Sequence, residues 1–148
     1  MKILLALILL VGISFGKEFC IEEVDNDFNE PYLSYALLRI MERAVLETGG
    51  NIACSQNSIR VRLTVKDFRE IPIAYTPSQR VRSYNLSISF EVDIDGKRHL
   101  FRGTVPYSLP FGGYGDIPRR KAIDDLLDKI YLNILKFLMG GKNDADKR

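Results

Sequence analysis

From Tyr84 to Ile94 apolar residues fall on every second position, the chain turns at Asp95-Gly96, and the alternation resumes as far as Tyr107. An Asp-Gly pair between two alternating runs is a strong short-range hairpin signal, because both turn residues tolerate positive φ. It also fixes a register in which Ile94 faces Lys97 and opposing residue numbers sum to 191. Val92 then meets His99, Phe90 meets Phe101, Leu86 meets Val105 and Tyr84 meets Tyr107, all on one largely apolar face. Ile88 meets Gly103, whose missing side chain leaves room for a large neighbour or a helix. The other face pairs Ser89 with Arg102 and Ser87 with Thr104, and is polar.

The remaining elements follow from the same reasoning. Phe19 and Ile21 begin a short strand that runs into a turn at Asn26-Asp27. Asn29 is the expected N-cap of a helix with Glu30-Pro31 in its first turn and an apolar stripe at Leu33, Ala36, Leu37, Ile40, Met41, Ala44 and Val45. Gly49-Gly50 stops it. Ile59, Val61, Leu63 and Val65 alternate with polar residues as a second strand. Phe68 to Ser78, with Pro72 and Pro77, shows no sustained period and reads as an irregular loop. Leu109 to Gly115 is a Gly-rich loop, after which Asp116 caps a last helix with Pro118 in its first turn. Its stripe is Ile123, Leu126, Leu127, Ile130, Ile134, Leu135 and Leu138, and Gly140-Gly141 ends it. The order β-α-β-β-β-α predicts an α+β fold: a two-layer sandwich with two helices packed on one face of a four-stranded mixed sheet.

Met1-Lys2, the unbroken apolar run Ile3 to Val11, and small residues at Ser14 and Gly16 read as a secretory signal peptide over residues 1–16. The run is well short of the ~20 residues that span a bilayer. The expected mature protein starts at Lys17, with one domain over residues 17–139 and a disordered polar tail over 140–148. Export leaves three fates for the cysteines: a Cys20–Cys54 disulfide, two buried thiols, or lipidation of Cys20. Lys17-Glu18-Phe19 lacks the small residues that lipidation requires.

Lys and Arg total 21 against 19 Asp and Glu, so bulk charge does not mark a nucleic-acid binder, and any basic site must be local. One His and two Cys leave few ingredients for a metal or nucleophilic centre. No catalytic residue, metal or cofactor is expected. Gly112-Gly113-Tyr114-Gly115 lacks phosphate-loop spacing, and His99, opposite Val92 near a hairpin end, reads as a half-buried structural histidine rather than a ligand or base. Asp124, Asp125 and Asp128 read as a solvated helix face, and Asn85-Leu86-Ser87 is a mid-strand sequon without a role. Two basic groups remain: Arg80 and Arg82 before the third strand, and Arg119, Arg120 and Lys121 opening the last helix. Cations at a helix start oppose the macrodipole unless an anion compensates, and arginine suits a phosphate-bearing head group. Ordinary solvated charge is the alternative reading.

Asp27-Phe28-Asn29-Glu30-Pro31-Tyr32-Leu33 before the first helix, Arg82-Ser83-Tyr84-Asn85-Leu86 entering the long strand, and the Ala122 to Leu138 helix have a common bearing. In that order and spacing the chain, from about Ile21 to Leu138, resembles the lipopolysaccharide-assembly lipoprotein family LptE. The resemblance implies a non-enzymatic plug in the lumen of the outer-membrane β-barrel LptD, one that helps the barrel assemble and touches lipopolysaccharide. It also implies lipid contact by basic residues in the two segments that here hold Arg80 or Arg82 and Arg119, Arg120 or Lys121. Members are typically anchored through a lipidated Cys, and the neighbours of Cys20 depart from that pattern. A second resemblance, to exported LpoB- and CsgG-like proteins, implies instead a binding module for a peptidoglycan synthase or a secretion pore.

Overall fold

The computed structural model describes residues 16–110 and 116–140. The expected signal peptide, apart from Gly16, the Gly-rich run Gly112 to Gly115, and the expected tail beyond Gly140 lie outside the described residues. The elements are β1 (Glu18–Ile21), α1 (Pro31–Glu47), β2 (Asn51–Ile52), β3 (Ile59–Tyr75), β4 (Val81–Ile94), β5 (Lys97–Ser108) and α2 (Asp116–Leu138). They build one mixed sheet, ordered β2-β1-β3-β4-β5, with both helices packed against its apolar face. The expected four strands are therefore five. The addition, β2, is only two residues long and pairs parallel with β1, too short to leave a period in the sequence.

The β4–β5 ladder has the predicted register throughout, from Ile94 opposite Lys97 to Tyr84 opposite Tyr107. Asp95 and Gly96 both take positive φ, as the two-residue turn demands. Gly103 is the notch in the sheet face: a Cβ there would lie 2.8 Å from the Leu126 Cδ2 of α2. All seven predicted α1 positions are buried. In α2, Ile123, Leu126, Leu127, Ile130 and Ile134 are buried and are joined by Ala122 and Tyr131, while Leu135 and Leu138 pack partly buried at the margin. Cys20 and Cys54 form a disulfide, which excludes both free thiols and lipidation of Cys20.

Two local expectations need correcting. The N-cap of α1 is Glu30, not Asn29: its carboxylate accepts from the Tyr32 amide at 3.2 Å. Asn26 sets this up, accepting from the Phe28 amide and donating through its own amide group to the Glu30 carbonyl and the Ser34 hydroxyl. The second correction concerns Phe68 to Ser78, which is not a loop as far as Tyr75 but the continuation of β3, paired with β4. Lys66 is an extra residue between Val65 and Asp67, so the helix-facing positions change from Val61, Leu63 and Val65 to Phe68, Glu70 and Pro72. Ladder alternation also turns the Pro72 nitrogen away from β4, onto an edge that β1 leaves bare, where a missing N–H costs no ladder bond.

Candidate functional site

Glu70, carried to the helix-facing side by the Lys66 bulge, meets Arg119 from the first turn of α2. Two guanidinium nitrogens donate to the two Glu70 oxygens, the second at 3.2 Å. Tyr107 of β5 donates its hydroxyl to the same carboxylate at 2.8 Å. Arg119 also reaches Glu30 at 3.4 Å and Asp116 at 3.5 Å. One Glu30 oxygen thus caps α1 while the other faces the start of α2. The cluster ties β3, β5 and both helix starts together. Its electrostatics are one-directional: the bond to Glu70 holds the Arg119 guanidinium charged, well above its usual range, and burial followed by Glu70 raises the Tyr107 phenol.

Arg119 is accordingly not an exposed head-group ligand. It is 28% exposed and engaged with carboxylates, and those acids provide the compensation that its position at a helix N-terminus requires. Arg80, Arg82, Arg120 and Lys121 are exposed. The Arg120 guanidinium lies 5.3 Å from the Tyr32 ring centroid, and the side chains of Arg80, Arg82 and Lys121 form no ion pair with any described residue. The two basic segments, distant in sequence, lie at one end of the molecule. Glu70 brings the start of α2 to β3, and Pro72, two residues on, faces Tyr84, two residues after Arg82.

Exposed apolar side chains share that end: Ile71 at 50%, Ile73 at 52%, Tyr75 at 61% and Ile117 at 80%. Composition and period could not reveal Glu70, Glu30 and Tyr107 as partners of Arg119, because each contact is made across elements. The one available signal was an acid two residues after Phe68 in a stretch without a readable period.

Other candidate groups have structural roles. His99 stands edge-on to Phe101, with centroids 4.5 Å apart, and beside Phe137. Asp124 is not merely solvated, since the Tyr32 hydroxyl donates to it at 2.8 Å and pins α1 to α2. That bond is the main reason the Tyr32 phenol is raised. The uncovered sheet face carries Ser83, Asn85, Ser87 and Ser89, largely polar as expected but with Ile71 opposite Asn85 and Leu100 opposite Glu91, and exposed pairs such as Arg69–Asp67 contribute little stability. Among the described residues no group of three or more His, Cys, Asp or Glu is arranged to hold a metal, and no helix is long and apolar enough to cross a membrane.

Fold and site together define a small two-layer α+β domain with a disulfide at one end and, at the other, an Arg119–carboxylate cluster flanked by exposed basic residues. The chain belongs to the family of an uncharacterized protein from Aquifex aeolicus strain VF5, with which it shares 35% identity over 131 residues, 88% of this chain and 91% of that one. Among solved structures, one described only as an uncharacterized protein matches 84% of this chain and 93% of its own, at 11% identity and a TM-score of 0.50, a likeness of fold. Rare lipoprotein B from Shewanella oneidensis aligns over 82% of this chain and 94% of its own, at 14% identity and a TM-score of 0.47. No protein-family model matches the chain.

Proposed function

We propose that this protein is an exported, non-enzymatic component of the outer-membrane lipopolysaccharide assembly complex. In this reading it plugs an LptD-type β-barrel in a one-to-one complex, assists the barrel's assembly and touches lipopolysaccharide from the periplasmic side. The observation that carries the reading is the placement of Arg80 and Arg82 at the β3–β4 hairpin end and of Arg120 and Lys121 at the start of α2, which the Glu70–Arg119 contact brings to the same end of the molecule, with no ion pair to a described residue holding any of the four. Phosphorylated saccharide head groups suit such a cluster, since charge-assisted bonds from arginine are strong and directional. Arg119 acts as a positioning residue that fixes the start of α2 against β3. The braced turn Asn26 to Glu30, part of the segment on which the LptE resemblance rests, fixes the start of α1 in the same cluster.

Affinity capture from native outer membranes tests the reading. A large heat-modifiable barrel in equal amount is the expected partner; a peptidoglycan synthase or a homo-oligomeric ring would move the protein to the LpoB- or CsgG-like alternative. Reversing charge with Arg82→Glu and Arg120→Glu is expected to weaken lipopolysaccharide binding about tenfold or more while leaving thermal unfolding cooperative. Unchanged affinity in that double variant rejects the cationic end as the lipid contact.

A further inference from the structure

The end of the β3–β4 hairpin stands apart from the rest of the sheet. β1 pairs with β3 only as far as Val61, with one further bridge from Asp25 to Thr64, and β5 ends at Ser108 opposite Ser83. Beyond Thr64, among the described residues, β3 is an edge strand on β4, β4 keeps β5 as far as Ser83 opposite Ala74, and past that pair only Tyr75, Val81 and the turn between them project, with irregularities at Ile73 and Arg82. This projecting end and the β3 edge that leads to it carry Ile71, Ile73 and Tyr75, each at least half exposed, and the Glu70–Arg119 contact sets Ile117 of α2 near its base. The acids closest to it are engaged: Glu70, Glu30 and Asp116 with Arg119, and Asp67 with Arg69. The first three share a single arginine, so two negative charges are left over, and against them stand the four exposed cations Arg80, Arg82, Arg120 and Lys121.

We propose that this projection is a membrane contact, with Ile71, Ile73, Tyr75 and Ile117 entering the head-group region of a bilayer that contains anionic phospholipid. Arg80, Arg82, Arg120 and Lys121 engage the lipid phosphates around them. Aliphatic residues beside a tyrosine, rimmed by long cationic side chains, have the polarity profile of a bilayer interface: apolar atoms enter, the phenol stays at head-group depth, and charges reach outward. A protein partner fits less well, because four side chains on a narrow projection cannot supply the roughly 800 Å² per partner of a stable interface. Cys20 is held in the disulfide with Cys54 and has no thiol to carry a lipid, so this contact is a route to the membrane independent of that residue. The inference shares its four cations with the lipopolysaccharide reading but does not need the barrel.

The chain contains no tryptophan, so a single Tyr75→Trp substitution places a fluorophore at the projection. Vesicles of phosphatidylcholine mixed with phosphatidylglycerol are expected to shift its emission to shorter wavelength, with an affinity that falls as salt rises. Leu132→Trp, on an exposed position of α2, serves as the control and is expected to stay unshifted. Adding Ile71→Ser and Ile73→Ser to Tyr75→Trp should weaken vesicle binding about tenfold or more. All these positions are exposed, and unchanged thermal unfolding confirms that each variant is folded. No shift with the mixed vesicles overturns the inference, as does an equal shift with phosphatidylcholine alone or with Leu132→Trp. Capture of a barrel by a protein that fails this assay would reject the bilayer contact and leave the proposed function standing.

Discussion

The two halves of β3 share a backbone and little else. From Ile59 to Val65 the strand is flanked by β4 on one side and by β1 and the Asp25 bridge on the other, and Val61, Leu63 and Val65 are buried under the helices. From Asp67 to Tyr75 it has β4 alone, its helix-facing side holds Glu70 instead of an aliphatic residue, and Ile71, Ile73 and Tyr75 face water. The first half is stabilised by apolar burial. The second is held by one cross-strand ladder, a carboxylate–guanidinium contact and Phe68 at the margin of the core. A strand can thus pass from core to exposed edge when a single inserted residue changes which side chains point inward.

The largest effect should come from the staple beside the first half. Replacing Cys20 and Cys54 together by Ser releases a loop whose ends are 34 residues apart, and chemical denaturation should show a loss of about 4 kcal/mol by the chain-entropy estimate. Next is the direct contrast within β3: Leu63→Ala should cost about 3 kcal/mol, whereas Ile71→Ala should stay within about 0.5 kcal/mol. Similar losses at the two sites would break the comparison. Arg119→Met tests what holds the second half, because it leaves Glu70 and Glu30 facing each other without a cation. Partial exposure of the pair limits the expected loss to about 2 kcal/mol, and the protection of hairpin amides against hydrogen exchange should fall more than that of Val61 or Leu63.

The smallest effect concerns pH. The Tyr107 phenol is raised in the folded protein, by burial first and Glu70 second. Its contribution is fully present below the ordinary tyrosine value near 10 and is lost as pH climbs from there toward the higher folded-state value. Tyr107→Phe should therefore cost about 1 kcal/mol at neutral pH through the lost bond to Glu70 and should flatten the decline in stability above pH ~10. An alkaline unfolding curve unchanged by the substitution would remove Tyr107 from the account.

What could be read beforehand follows the same division. The Asp95-Gly96 ladder and both helix stripes were legible because turn chemistry, period and burial agree along uninterrupted stretches. The second half of β3 was not: Lys66 exchanges odd for even as the helix-facing parity, and Pro72 resembles a breaker until its nitrogen is seen to face a bare edge. Glu30 displaced Asn29 as the cap because its carboxylate serves a helix start and a distant arginine at once, a coincidence that local preference cannot encode. The same holds for the basic groups. Their chemistry was evident, but the division between Arg119, bound to carboxylates, and Arg120, exposed to solvent, depends on which face of a helical turn meets β3.

The gap at Gly103 has a mechanical consequence. Leu126 sits in it like a peg in a socket, and sliding α2 along the sheet would force that side chain up against the neighbouring residues of β5, Phe101 on one side and Val105 on the other. The helix is thereby indexed, and Arg120, six residues earlier, is held about 9 Å along the axis from the peg. One absent side chain in the middle of a strand sets the height at which the positive charges stand.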